Sequence, residues 1–292
     1  MEKAKVYFIK DITPENIVKI YDVLGKKLEG KVAVKLHSGE KGNQNYMKPE
    51  MVKNIVEHVN GTVVECNTAY EGARDTTEKH QVLMKEHGWS SLFHVDIMDA
   101  EGDIILDIPN GKVIQKNYVG KNLNNYDSML VLSHFKGHPM GGYGGALKQL
   151  SIGIASSYGK RYIHCVGKEN GTFEDMFQVD QLKFLEAMAD AASSIVEKMK
   201  DNIVYINVMC NMSVDCDCCN VAEDPCMKDI GILASLDPIA IDQACIDLVE
   251  KSDDPGKAHF MERVNSKNGI HTIEAAATLG YGTREYELIE IS

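Results

Sequence analysis

Short runs rich in β-branched residues alternate with helical patterns along most of this chain of 292 residues. Strands are predicted at residues 5–9, 31–37 and 62–66, and helices between them at residues 13–30 and 49–59. Such alternation is typical of an α/β fold in which helices cover a mostly parallel sheet.

The alternation continues toward the carboxyl end. Further strands are predicted at residues 128–133, 203–209, 230–234 and 286–291, and further helices at residues 76–87, 145–154, 179–200, 238–250 and 273–279. Turn signals in residues 96–115 predict an antiparallel excursion.

A division near residue 170 would give two α/β lobes. Residues 1–170 would contain a segment rich in histidine, lysine and glycine, and residues 171–292 would contain a cysteine cluster.

Composition excludes several classes of function. The formal charge of −12 and the pI near 5.3 argue against nucleic acid or an anionic membrane as the partner, since both require a basic surface. An apolar run of about 20 residues and a secretory signal are both absent, so a cytoplasmic protein is expected. The eight cysteines are therefore interpreted as thiols, metal ligands or redox groups, with Cys66, Cys165 and Cys245 as buried apolar residues.

The chemically richest segment is 134–164, which follows a predicted buried strand. Its candidate catalytic residues are Lys136, His138, Lys148 and His164, and its candidate ligand-binding residues are His134, Gly142, Gly144 and Gly145. Histidines and cations concentrated beside a glycine-rich turn are typical of a site that binds a carboxylate or phosphate and moves protons. If a helix begins at Gly145, its free N–H groups would form an anion site. His37 and Asn45 follow an earlier strand and complete the candidate ligand-binding set.

A second cluster contains five cysteines within 17 residues, accompanied by acidic side chains; its members are Cys210, Cys216, Cys218, Cys219 and Cys226. Close thiols indicate a transition metal or iron–sulfur cluster, a redox dithiol, or structural thiols. Downstream, Asp237 is a predicted helix N-cap with Pro238 at the first helical position, and Asp242 is interpreted as structural rather than catalytic.

Five runs together resemble the family called domain of unknown function 362, whose members are often named iron–sulfur centre proteins. The resemblance covers nearly the whole chain and rests on residues 35–50, 65–76, 133–156, 215–219 and 229–249. Many members carry a two-cluster ferredoxin module shortly after the position of His164. Residues 166–180 of this chain are short and free of cysteine, so the resemblance does not by itself imply a cluster.

The spacing of His138, Lys148 and His164 is also similar to that of the nickel-dependent lactate racemases, with ten positions between the first pair and sixteen between the second. That resemblance implies that Lys148 anchors a nickel pincer, that His164 ligates nickel and that His138 acts as acid or base. Ala146 departs from the usual glycine of the racemase turn.

Three functions remain open on the sequence. The first is a metal- or cofactor-dependent enzyme, redox or racemase/isomerase-like, acting on a small anionic substrate. The second is an iron–sulfur or metal-binding electron-transfer accessory protein with a redox protein partner, and the third is a non-catalytic ligand-binding protein. A homo-oligomer is compatible with each. Because parallel strands share one carboxyl edge, the cysteine loop is predicted to face the histidine and lysine segment.

Overall fold

The computed structural model describes residues 3–292. The strands are β1 (Ala4–Ile9), β2 (Val32–Lys35), β3 (Gly61–Glu65), β4 (Val95–Ile97), β5 (Asp103–Asp107), β6 (Lys116–Gly120), β7 (Ser128–His134), β8 (Lys136–His138), β9 (Gly142–Gly144), β10 (Ile203–Met209), β11 (Gly231–Ser235) and β12 (Tyr286–Glu290). The helices are α1 (Pro14–Val23), α2 (Pro49–His58), α3 (Thr77–Glu86), α4 (Trp89–Leu92), α5 (Ala146–Lys148), α6 (Ser157–His164), α7 (Gln181–Met199), α8 (Pro238–Lys251), α9 (Lys257–Ser266) and α10 (His271–Leu279).

Eight strands form one mixed sheet in the order β12-β1-β11-β10-β7-β2-β3-β4. β11 pairs antiparallel with both of its neighbours, and every other pair in this sheet is parallel. The predicted α/β fold with a mostly parallel sheet is therefore confirmed. Strands from both sides of residue 170 contribute to this sheet; the division into two lobes stays a prediction.

Both faces of the sheet are covered, which explains the nearly continuous apolar sequence of its central strands. Met129 and Val131 of β7 join an apolar cluster with α7, α8 and α10, whereas Leu130 and Leu132 join a cluster with α1 and α2. The antiparallel β5-β6 pair confirms the predicted excursion, and Ile108 and Ile114 in the connection between its strands join a further apolar cluster. Within residues 3–292, none of the helices has the length and apolar character needed to cross a membrane.

The observed helices differ from the predicted ones at several points. The first helix ends at Val23 rather than near Gly30, because the chain leaves the helix at Gly25 with a φ of 64°. The predicted helix at residues 145–154 is a three-residue helix, α5, followed by a π-helical turn at Gln149–Gly153. Helix α6 was missed, although Ser156 caps it by accepting a hydrogen bond from the Gly159 N–H.

Candidate functional site

A cavity of about 290 Å³ lies at the carboxyl edge of the sheet, where the loops after β2, β3, β7 and β10 meet. β7 and β10 are parallel neighbours, with His134 paired to Val208, so the chain after each strand enters the same space. Its polar lining includes Lys35, His37, Glu65, Tyr70, Arg74, His134, Lys136, His138, Lys148, Gln149, Lys160, His164, Cys216 and Cys218. The cysteine loop therefore faces the histidine and lysine segment, as predicted.

The structure brings together most of the residues predicted from the sequence. All four candidate catalytic residues line the cavity, as do His134, His37, Gly144 and Gly145. Gly142 and Asn45 lie outside the lining. The Asn45 amide instead donates to the Glu223 carbonyl at 2.8 Å, which fastens the cysteine loop to the loop after β2.

Asp217 holds two cations at the inner wall of the cavity. Its carboxylate lies 2.9 Å from Nδ1 of His134 and 2.8 Å from Nζ of Lys136, and all three side chains are buried. The other ring nitrogen of His134 donates to the Cys210 carbonyl, so both nitrogens face acceptors and the ring is an imidazolium. Burial alone would lower the pKa of His134, but the charge and hydrogen bond of Asp217 outweigh it and raise the pKa to about 10.

His138 has a fixed tautomer with its proton on Nε2. The backbone N–H groups of Met140 and Gly141 donate to Nδ1 at 3.1 and 2.9 Å, so Nδ1 carries no proton. Burial, followed by the charge of Lys148, lowers the pKa of the ring to about 4, and the ring is neutral at pH 7. A neutral ring with an unprotonated Nδ1 carries its hydrogen on Nε2, which lies 4.0 Å from the Cys218 sulfur.

His164 has the opposite tautomer. Its Nδ1 lies 2.7 Å from the Lys160 carbonyl, an acceptor, so Nδ1 carries the proton and Nε2 carries a lone pair. Burial and the charge of Lys148 lower the pKa of His164 to about 3, and the ring stacks on Phe184 with centroids 4.9 Å apart. A ring held through Nδ1–H to a carbonyl is the arrangement found in metal-ligating histidines.

These three protonation states can be measured. In long-range ¹H–¹⁵N spectra at pH 7, we expect His138 to carry hydrogen on Nε2 only, His164 on Nδ1 only, and His134 on both nitrogens. His138→Asn and His164→Asn variants would assign the signals. Equal tautomers for His138 and His164 would contradict the backbone contacts described above.

Lys148 differs from the other basic residues that line the cavity. Lys35 pairs with Glu65 at 2.7 Å, and the Lys160 amine donates to the Ala155 carbonyl at 2.7 Å. Among residues 3–292, no carboxylate lies within ion-pair distance of the Lys148 amine, and burial lowers the pKa of this lysine. Its charge therefore remains available to a ligand.

Asp242 fixes the turn that leads to Lys148. Its carboxylate accepts hydrogen bonds from the Ala146 and Leu147 N–H groups at 2.8 and 3.0 Å, and from the side chains of Tyr143 and Asn207. The predicted anion site at these N–H groups was wrong, because the protein's own carboxylate occupies them. A Cβ at Gly145 would lie 2.5 Å from Asp242 Oδ1, so glycine permits this approach. Asp242 is thus a positioning residue; Asp237 caps α8 as predicted.

The five clustered cysteines do not meet at one point. Ligand atoms of Cys216, Cys218 and His138 lie within 4.8 Å of one another. Cys210 packs into the apolar cluster beside α1 and α2, and the Cys226 thiol donates to the Met212 carbonyl at 3.2 Å. The thiol of Cys219 also lies outside the group of three.

This arrangement limits which metal groups fit. An iron–sulfur cluster is held by four thiolates in the usual case, and Cys216 and Cys218 supply two. His138 ligates a metal through Nε2 only if that nitrogen loses its proton, which the two bonds to Nδ1 oppose. A four-thiolate cluster therefore does not fit within one chain. A metal held by the two thiolates, with Nε2–H of His138 donating toward sulfur, fits the contacts.

Sequence reasoning missed the charged group on the other side of the cavity. Glu65 pairs with Lys35 at 2.7 Å and lies 3.8 Å from Arg74, whose Nε also pairs with Glu40 at 3.1 Å. Tyr70 accepts a hydrogen bond from Arg74 at 3.1 Å and donates to the Cys218 carbonyl at 3.1 Å. Lys35 and Glu65 lie inside the predicted strands at residues 31–37 and 62–66, and a charge inside such a run was the signal that could have identified them.

Comparisons with known proteins give the family. A model described as a domain of unknown function (DUF362) matches residues 32–247. The chain belongs to this family. The match includes every cavity residue discussed above, from Lys35 to Cys218, and a search of curated proteins finds no match.

Two solved structures are similar to this DUF362 chain. The lactate racemase apoprotein from Thermoanaerobacterium thermosaccharolyticum is 17% identical with a TM-score of 0.43; the match covers 69% of this chain and 50% of that one. A protein from Thermotoga maritima solved by a structural genomics consortium is 13% identical with a TM-score of 0.40; that match covers 91% of this chain and 58% of the other. This chain thus spans 50% of the first solved chain and 58% of the second.

Proposed function

We propose that the cavity binds a small carboxylate or phosphate, and that the protein is a metal- or cofactor-dependent enzyme acting on this anion. The observation that carries the proposal is an excess of positive charge in a buried cavity of a protein whose net charge is −12. A low-dielectric pocket with one sign of charge concentrates counter-ions of the opposite sign.

The balance of charges in the lining supports this view. Glu65 and Glu40 offset Lys35 and Arg74, whereas Asp217 alone offsets two cations, His134 and Lys136. The remaining two cations, Lys148 and Lys160, have no carboxylate within ion-pair distance in residues 3–292. Because an uncompensated charge in a desolvated site is costly, an incoming anion that pairs with either lysine relieves this cost.

His138 and His164, which have opposite tautomers, offer the cavity a hydrogen-bond donor and an acceptor, respectively. His138 presents Nε2–H, which can donate a hydrogen bond to a ligand oxygen, as a neutral imidazole does when it acts as an electrophile. His164 presents a lone pair, which can accept a proton or hold a metal. Burial, followed by the charge of Lys148, lowers the pKa of both rings, so both histidines are neutral at pH 7 when they present these groups to a ligand.

The cofactor proposal rests on Lys148 and His164. The resemblance to the nickel-dependent racemases supports an amine anchor at Lys148 and a nickel ligand at His164, and the free Nε2 of His164 suits that role. When bound, such a group would supply an electron-accepting centre that the side chains lack. The acid/base role implied for His138 is replaced in our proposal by hydrogen-bond donation, since its Nδ1 is already occupied.

Calorimetric titration of anaerobically purified protein with propanoate and with inorganic phosphate tests the anion site. Binding of either anion is the expected result. Failure of both to bind at millimolar concentration would overturn the proposal.

A second candidate function is favoured by the close approach of Cys216, Cys218 and His138: a metal-carrying or electron-transfer accessory protein. We expect Cys216→Ser with Cys218→Ser to remove a bound thiophilic metal, because soft thiolates are its ligands. Cys226→Ser is the matched control, since that thiol donates to a backbone carbonyl elsewhere. Elemental analysis of anaerobic protein provides the measurement, and equal metal content in both variants would contradict a site at these thiols.

The same samples separate the two functions. Nickel together with a mass increment on the peptide that contains Lys148 supports the cofactor-dependent enzyme. Metal that depends on the two thiols, with an unmodified Lys148, supports the accessory protein.

A further inference from the structure

Two phenylalanine side chains are exposed at the outer end of the cavity. Phe173 is 48% exposed and Phe177 is 64% exposed, and both line the cavity together with Met176. The two rings pack edge to face, with centroids 5.2 Å apart and an interplanar angle of 73°. Exposed apolar side chains that occur singly are ordinary, but an adjacent aromatic pair at the edge of a cavity is a binding feature.

The turn that carries these rings is held in place by polar contacts. Asp175 accepts a hydrogen bond from the Thr172 N–H at 2.8 Å and pairs with Lys168 at 2.8 Å. Met176 is 5% exposed and anchors the turn from below. On the neighbouring wall, Gln181 donates to the Met140 carbonyl at 2.8 Å, and Met140 also lines the cavity. These contacts therefore hold the aromatic pair at the edge of the cavity.

The two ends of the cavity have opposite chemistry. Lys160, which has no carboxylate within ion-pair distance in residues 3–292, is 9% exposed, whereas the rings of Phe173 and Phe177 are 48% and 64% exposed. Pro139, Met140 and Ile152 supply further apolar lining. A ligand that matches the whole cavity has an anionic head and an apolar body.

We propose that the ligand is an amphiphilic anion: a carboxylate or phosphate carrying a single aromatic ring or a short alkyl chain, with this body packed against Phe173 and Phe177. The inference rests on the proposed function, because it names the class of substrate for the same cavity. The volume of about 290 Å³ sets the size of the body. Sites for small molecules occupy roughly 300–1,000 Å³, so this cavity lies at the small end of that range and matches a body of one ring or a short alkyl chain.

Matched ligands test the inference on the full-length protein. Propanoate and 3-phenylpropanoate have the same head, and 3-phenylpropanol has the body without the charge. We expect 3-phenylpropanoate to bind at least tenfold more tightly than propanoate, which corresponds to about 1.4 kcal/mol, and 3-phenylpropanol to bind more weakly than 3-phenylpropanoate. Phenyl phosphate against inorganic phosphate repeats the comparison for the other head group.

Variants test whether Phe173 and Phe177 cause the higher affinity for 3-phenylpropanoate than for propanoate. Phe173→Ala with Phe177→Ala should reduce the ratio of the two carboxylate affinities to within threefold. Val82→Ala, which removes an apolar side chain 58% exposed on α3, should leave the ratio unchanged. Circular dichroism checks folding, and Phe173→Leu with Phe177→Leu, which keeps apolar contact, should retain part of the gain.

The outcomes separate this inference from the proposed function. Equal affinities for propanoate and 3-phenylpropanoate in the unaltered protein would overturn the amphiphilic ligand while leaving the anion site in place. A tenfold ratio that persists in the double alanine variant would overturn the assignment to Phe173 and Phe177. Absence of binding by any of the charged probes would overturn the proposed function and this inference with it.

Discussion

Lys148→Met should weaken binding of propanoate or inorganic phosphate by at least a hundredfold. The substitution keeps most of the apolar stem and removes a charge that no protein carboxylate offsets in residues 3–292. Losing one partner of a desolvated charge pair costs about 2–5 kcal/mol, and a hundredfold change corresponds to about 2.7 kcal/mol. Calorimetric titration gives the affinity.

The matched control for this variant is Lys53→Met on α2, where the lysine is largely exposed and pairs with Glu57 at 3.8 Å. That substitution should leave the anion affinity unchanged. If Lys148→Met bound either anion within threefold of the unaltered protein, the lysine would not be the anion ligand.

Asp217→Asn should lower the free energy of unfolding by about 3–5 kcal/mol, because it leaves Lys136 as a buried cation without a counter-charge and removes the carboxylate that holds the proton on His134. Chemical denaturation at pH 7 measures the change. Asp22→Asn is the matched control, since Asp22 pairs with His58 at 2.8 Å but both side chains are exposed. That control should cost less than about 1 kcal/mol.

A double variant tests whether the unpaired charge of Lys136 causes the loss of stability in Asp217→Asn. Adding Lys136→Met to Asp217→Asn removes the stranded cation and should recover part of the stability. A loss below 1 kcal/mol in Asp217→Asn alone would show that the buried group of three charges is not formed.

The same group predicts how stability depends on pH. The folded-state pKa of His134 is raised to about 10, above the ordinary histidine value near 6.5. Its contribution is therefore fully present below about pH 6.5 and is lost progressively as the pH rises through about 10. Asp217→Asn should remove this dependence, because the carboxylate is what holds the proton on the ring.

The fold brings the cysteine loop into direct contact with the histidine and lysine segment. Asp217 lies in the cysteine loop, yet its ion pairs go to His134 and Lys136 after β7. Asn43, after β2, donates to the carbonyls of Cys216 and Cys219 at 3.3 and 2.8 Å. The cysteine loop is thus a wall of the same cavity, and changes in it should alter ligand binding.

Local sequence patterns determined most of the elements and the site's location. Period and β-branched content predicted β7 and β10 within one residue, and Thr13, Asp237 and Pro238 marked helix starts through capping contacts between near neighbours. Because parallel strands share a carboxyl edge, these elements were enough to place His138, Lys148, His164 and the cysteine loop on one side of the sheet.

Only the tertiary structure decided the chemistry of each group. Which nitrogen of His138 or His164 carries hydrogen depends on backbone groups that the fold brings to each ring. The N–H groups after Gly145 were expected to bind a ligand, but Asp242 reaches them from a helix almost a hundred residues away. Cysteines close in sequence separate because the loop turns some thiols inward and others into apolar contacts. Spacing along a chain does not specify distances between side chains, and charge, tautomer and ligation depend on those distances.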